Sequence, residues 1–280
     1  MPLAEDYARD GYVVVPDLLG SEEVATLREE TRAIAAGERG AILGADLVAG
    51  AGGDPLAAVL AIHFPHKASP AMRDMLGHPR IVSLLTELIG PDVKCMQSML
   101  FVKNAGKPGQ AWHQDEHYIP TRDRSLIGVW IALDDATIDN GCLWMHPGSH
   151  RAGVLYPTRT HGDARFDGGD EAHAFPYPRE GGTPIEVRAG GVSFFNGYTL
   201  HRSLDNTRPE GFRRALVNHY MSAHSLLPWW FGLPPQPRQD YRDIVMVAGE
   251  DPYATRGLEE ISFPFIRPED PAMAARLFGR

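Results

Sequence analysis

The chain has 280 residues, 43% of them apolar, enough for one large domain or two small ones with a substantial core. With 36 acidic against 27 basic side chains and a formal charge of −9, it is a poor match for a nucleic-acid backbone. It contains no apolar run of about 18 residues that would span a membrane, and Met1-Pro2-Leu3-Ala4-Glu5-Asp6 has neither a basic nor an apolar leader region, which reads as a mature cytoplasmic terminus.

In chain order, Gly11-Tyr12-Val13-Val14-Val15-Pro16 predicts a short strand, and Ser21 then caps a helix with Glu22 and Glu23 in its first turn. Val24, Leu27, Thr31 and Ile34 recur at helical spacing, and Gly37 ends the pattern. Residues 38–62 are rich in Gly and Ala with little periodicity, so irregular or mobile structure is expected there. Ser69-Pro70 and His78-Pro79 each read as a cap followed by proline at the first helical position. The helix after His78 carries Ile81, Val82, Leu84, Leu85, Leu88 and Ile89 and stops at Gly90-Pro91.

Beyond Pro91 the apolar period changes to two. Strands are expected near 93–103, 111–117, 126–134, 142–146, 185–188, 192–196 and 213–222, separated by turn signals such as Asp139-Asn140-Gly141, Ala189-Gly190-Gly191 and Asn196-Gly197. A mainly β fold with flanking helices follows, a sandwich or barrel with helices packed outside. Cys95 and Cys142 lie in apolar strand-like segments and read as buried thiols; no CxxC or paired Cys/His spacing supports a zinc site. The segment from Arg151 to Thr183 is too long for an ordinary turn, and such loops are functional or disordered. We expect a lid in which arginines, Arg151 and Arg159 among them, meet an anionic group of a substrate, against the alternative of a solvated mixed-charge loop. Pro228-Trp229-Trp230-Phe231 could plug a barrel, line a channel or form a subunit contact.

Chemistry enters at Ala111-Trp112-His113-Gln114-Asp115. Alternate residues of a strand project to one side, so His113 and Asp115 can share a metal. A distant strand end can supply a third ligand, and His201 in Thr199-Leu200-His201-Arg202-Ser203 is of the right type. Two imidazoles and one carboxylate can hold ferrous iron on one face and leave the opposite face open. His117 would join the same side if the strand continued; substrate contact or simple solvation suits it better, since a fourth protein ligand would close a needed position.

Downstream of His201 the chain reads Asn206-Thr207-Arg208-Pro209-Glu210-Gly211-Phe212-Arg213-Arg214-Ala215-Leu216-Val217-Asn218-His219-Tyr220, a turn and then a strand opening on two arginines. With Gln97-Ser98-Met99-Leu100-Phe101-Val102-Lys103, Gly128-Val129-Trp130-Ile131-Ala132-Leu133-Asp134-Asp135 and Asn140-Gly141-Cys142-Leu143-Trp144-Met145-His146-Pro147-Gly148-Ser149-His150, this set covers roughly residues 5–225 and resembles the phytanoyl-CoA hydroxylase family of Fe(II)- and 2-oxoglutarate-dependent dioxygenases.

The resemblance implies a double-stranded β-helix, or jelly-roll, core over about 93–222. A helical preface over about 1–92, the 151–183 insertion and a C-terminal extension over about 223–280 would complete one domain. It implies His113, Asp115 and His201 as iron ligands, with 2-oxoglutarate and O2 as cosubstrates. The family's offset from distal histidine to arginine falls here on Phe212; aligning Gly211-Phe212-Arg213 with the family's Gly-Phe-Arg takes one inserted turn residue. That favours Arg213 as the 2-oxoglutarate anchor, with Arg214 in reserve. An arginine suits the charge count, because Fe(II), Asp115 and a 2-oxoglutarate dianion together are net negative, and a planar fork meets a carboxylate with two parallel bonds.

Gln97, Ser203 and Trp130 are further 2-oxoglutarate contacts on this reading. The face that Trp130 shares with Gly128 and Ala132 leaves room for a large ring over a pocket; against these readings, Ser203 could be a turn hydroxyl and Trp130 a plain core aromatic. The implied reaction yields succinate, carbon dioxide and a hydroxylated carbon, and the carboxylate at Asp115 favours hydroxylation over halogenation, since related halogenases have a small residue there. The expected substrate is a small or medium-sized metabolite, an anionic group being favoured. A cupin-like metal enzyme that does not use 2-oxoglutarate and a non-catalytic binding jelly roll are the alternatives.

Overall fold

The computed structural model describes residues 2–50, 53–226 and 242–277. Pro228-Trp229-Trp230-Phe231 lies outside the described residues. The strands, in chain order, are β1 (Tyr12–Val15), β2 (Val59–His63), β3 (Val93–Asn104), β4 (Gly109–His113), β5 (Ile127–Ala132), β6 (Leu143–Met145), β7 (Thr158–Thr160), β8 (Phe166–Asp167), β9 (Asp170–Ala172), β10 (Thr183–Ile185), β11 (Val192–Asn196), β12 (His201–Ser203), β13 (Phe212–Ser222), β14 (Val245–Ala248) and β15 (Phe265–Pro268). A large sheet runs β1-β11-β5-β13-β3-β2-β15 with β14 also on β3, and a smaller one runs β10-β6-β12-β4-β8. Side chains of the two sheets meet between them, which makes the fold a jelly roll.

Alternation along β13 explains the layering. Ala215 and Val217 point inward, where they join Trp130, Ala132 and Phe195 of the large sheet against Leu143, Met145 and Ile185 of the small one. Leu216 and Tyr220 point outward into a second core built with the helices, among them Leu27, Ile34, Ile81 and Leu85. The Tyr220 hydroxyl donates to the Leu76 carbonyl at 3.0 Å, which satisfies the polar end of a fully buried ring. The predicted helices are present, but Gly20 rather than Ser21 takes the N-cap position of the first, where its amide donates to the Glu23 carboxylate at 2.8 Å. One spans Ser21–Ala35. A second, Pro70–Asp74, starts where the Ser69 hydroxyl accepts from the Met72 amide, and a third, Pro79–Ile89, ends at Gly90 with φ +103°.

One expectation needs correction. The 38–62 stretch is not simply irregular: it contains a helical turn, Ala45–Ala49, and ends in β2, a buried strand of the large sheet. Burial on both faces replaces the alternation that would have announced it. The preface and the C-terminal extension contribute strands to the large sheet, β1 and β2 from the first and β14 and β15 from the second. The 151–183 segment is ordered, with β7 paired to β9 and β8 paired to β4. Among the described residues no helix is long and apolar enough to cross a membrane.

Candidate active site

The metal-ligating types converge where β4 and β12 lie side by side with His113 directly opposite His201. The strand predicted over 111–117 ends at His113, but Gln114 keeps an extended backbone (φ −131°, ψ 129°) and so delivers Asp115 to the same side. The Gln114 side chain goes the other way. Its amide donates to the carbonyls of Tyr198 at 2.8 Å and Val154 at 3.0 Å, and its oxygen accepts from the Tyr156 amide, which fastens the neighbouring loops around the site. The chain then turns into a helical stretch, Asp115–Tyr118, whose geometry rotates His117 away. His117 is exposed, packs edge-on against Tyr118 and does not line the cavity, so the extrapolated strand face is wrong for it.

Ligand atoms of His113, Asp115 and His201 all lie within 4.8 Å of one another, and all three residues are buried. Asp115 Oδ1 is 3.7 Å from His113 Nε2 and 3.6 Å from His201 Nε2. Each imidazole donates its Nδ1 hydrogen to a backbone carbonyl, His113 to Ala111 at 2.8 Å and His201 to Thr199 at 2.9 Å. Those bonds select the tautomer whose Nε2 lone pair faces Asp115. Burial, and then the neighbouring His201, hold the His113 pKa down at about 3, so the imidazole is neutral near physiological pH. Burial opposes the charge on Asp115, but the surrounding imidazoles outweigh it and keep the carboxyl below its usual range. A donor set of two imidazoles with Nε2 turned inward and an ionised carboxylate fits a divalent transition metal.

The sequence reading missed His219. Its Nε2 donates to Asp115 Oδ2 at 3.1 Å, so one carboxylate oxygen is tied back while the other faces the two imidazoles. Strand alternation could have found it, since His219 follows Arg213, Ala215 and Val217 on one face of β13.

The triad opens into a cavity of about 430 Å³. Gln97, Met99, Phe101 and Lys103 of β3, Trp130, Phe195, Arg213, Val217 and His219 come from the large sheet; Gln110, Leu143 and Ser203 face them from the small one. Gln97, Trp130, Ser203 and Arg213 are therefore brought together with the triad. Arg151 and Arg159 are not: both are exposed and outside the cavity, and Arg159 is paired with Glu171 at 2.9 Å. Arg159, Arg165 and Arg179 of the insertion are held by its own carboxylates, Glu171 and Asp163.

Arg213 is 3% exposed, sits over the Trp130 ring with its guanidinium carbon 5.6 Å from the centroid, and leaves Nε without a hydrogen-bond partner. Burial lowers its pKa to about 10. Arg214 points to the other face, where both its Nε and a terminal nitrogen bond Asp134 at 2.8 Å. Two glycines permit this packing. A Cβ on Gly128 would lie 2.4 Å from the Phe195 ring, which itself packs on His201 at 4.8 Å, and one on Gly109 would lie 1.9 Å from the Ser203 carbonyl. Gly128 thus makes room for Phe195.

The phytanoyl-CoA dioxygenase (PhyH) family model matches residues 7–215. The chain is 33% identical over 184 residues to phytanoyl-CoA dioxygenase 1 of Oryza sativa subsp. japonica, covering 62% of this chain and 63% of that protein. It is 27% identical over 230 residues to the peroxisomal phytanoyl-CoA dioxygenase of Rattus norvegicus, covering 78% and 67%. It spans only 50% to 63% of the length of the two plant relatives it matches. Similar solved structures include the epimerase SnoN in complex with Fe3+, α-ketoglutarate and nogalamycin RO, at TM-score 0.63 and 26% identity over 89% of this chain and 96% of that one. The apo non-heme monooxygenase ThoJ aligns at TM-score 0.67 and 25% identity, covering 89% and 84%. The matched span encloses the three convergent ligands and Arg213, and the chain belongs to the phytanoyl-CoA dioxygenase (PhyH) family.

Proposed function

We propose that this protein is an Fe(II)- and 2-oxoglutarate-dependent dioxygenase that hydroxylates an unactivated C–H bond of a small or medium-sized metabolite. The observation that carries the reading is the conjunction of the His113–Asp115–His201 cluster with a buried, unpaired Arg213 in one cavity. Bound there, ferrous iron with 2-oxoglutarate and O2 supplies oxidative decarboxylation to succinate and carbon dioxide coupled to oxidation of the substrate carbon.

The residues' own contributions are positioning and exclusion of water. His113, Asp115 and His201 would hold the metal through Nε2, Oδ1 and Nε2, and His219 keeps Asp115 from rotating. Arg213 would neutralise the far carboxylate of 2-oxoglutarate, with Trp130 fixing the plane of its guanidinium. Leu60, Met99, Phe101, Ile119 and Phe195 line the cavity with apolar surface, which supports a carbon-rich reacting portion of the substrate. An anionic group is not supported by Arg151 or Arg159, and the cavity's Arg267 is already paired with Asp167 at 2.7 Å.

The reading is tested by loading the protein anaerobically with ferrous iron and then adding O2 and 2-oxoglutarate while following succinate. Iron-dependent succinate is expected; bound iron without succinate across a broad substrate panel would discard the reading.

A further inference from the structure

A second cation stands beside Arg213. Lys103 lies directly across from it in the β3–β13 ladder, so the two side chains project from neighbouring strands toward the same cavity. Lys103 is 5% exposed. Its Nζ donates to the Ser203 hydroxyl at 3.0 Å and to the Leu204 carbonyl. Both acceptors are neutral, and an ammonium has three hydrogens, so one remains for the cavity. The cradle is built for it: Gly141 has φ +81°, and a Cβ there would fall 2.9 Å from Nζ and 2.3 Å from the Leu204 carbonyl oxygen.

Among the described residues no carboxylate forms an ion pair with either cation. Burial, then the repulsion of Arg213, press the Lys103 ammonium well below its ordinary range; Asp205 and Cys142 act in the opposite direction. Two adjacent buried basic groups without a counterion are costly to charge together, and an anionic ligand between them would restore the Lys103 ammonium. A single carboxylate offers two oxygens, one for each cation.

We propose that Lys103 is a specificity-determining residue that donates, together with Arg213, to the far carboxylate of the 2-oxo acid cosubstrate. This rests on the 2-oxoglutarate reading above. On it, Ser203 orients Lys103, and the two cations make the pocket select a 2-oxo dicarboxylate over a 2-oxo monocarboxylate of otherwise similar chelating chemistry.

The test is an anaerobic titration of the iron-loaded protein with 2-oxoglutarate and, separately, with pyruvate, followed by the visible absorption of the iron-chelated 2-oxo acid. Lys103→Met is expected to weaken 2-oxoglutarate by about 10- to 100-fold, the loss of one hydrogen bond to a charged group, and to leave pyruvate within about twofold. Lys103→Gln, whose amide can still donate to Leu204, replaces it if the methionine variant does not fold. Unchanged 2-oxoglutarate affinity, or equal weakening of both acids, overturns the role of Lys103 alone. No absorption with either acid in the parent protein, iron being bound, overturns the proposed function and this inference with it.

Discussion

The cations of the 151–183 insertion and those of the cavity are treated in opposite ways by the same chain. In the insertion, Arg159 and Arg179 share the buried Glu171, and Arg165 is held by Asp163 at 2.7 Å, so each of these arginines, itself about half exposed, is cancelled by a carboxylate of the same segment. In the cavity, Arg213 and Lys103 are nearly dry and have no carboxylate in contact among the described residues. Water and neighbours satisfy the first set at little cost. The second set leaves an electrostatic demand that a ligand can meet, and so an unpaired buried cation is better evidence for a ligand site than a cluster of exposed ones.

That contrast can be broken or sharpened by substitution. The largest effect is expected from Asp115→Ala, which removes the one anionic ligand: iron binding and iron-dependent succinate formation should both be abolished, as read by metal content and product assay. Arg213→Ala should weaken 2-oxoglutarate by about 3 to 5 kcal/mol, the cost of breaking a buried charged pair. Arg214→Ala, one residue along, should leave that affinity alone and lower folding stability by about 1 to 3 kcal/mol, because it removes charged hydrogen bonds to Asp134. Similar 2-oxoglutarate losses in the two variants would show that the facing of β13 has been misassigned. His219→Ala, which frees Asp115 Oδ2, should reduce iron affinity by about 10- to 100-fold in a competitive chelator titration while retaining binding. The smallest effect belongs to Arg159→Ala. Arg159 is half exposed and Arg179 still holds the buried Glu171, so the loss is about 0 to 1 kcal/mol, and 2-oxoglutarate turnover should not change; a large rise in KM for a substrate would restore the insertion's arginines to the site.

Much of the site is legible along the chain because strand alternation is local. It places Gln97, Met99 and Phe101 on one face of β3 and puts His113 and Asp115 on one side even though the strand ends between them. The same rule misled at His117, where a helical turn broke the alternation, and it was available but unused at His219. β2 was hidden for a different reason, since a strand covered on both faces carries no alternating signal.

The amino-acid sequence by itself determined the kinds of ligand, their pairing on one strand and the run of short strands that must fold into facing sheets, because each depends on neighbours a few residues apart. Only the tertiary structure turned Arg213 into the cavity and Arg214 onto Asp134, tied Asp115 to His219 and set Lys103 beside Arg213. Those outcomes depend on which face of β13 turns inward and on which carboxylates other loops carry to the two faces, and neither is encoded in local spacing.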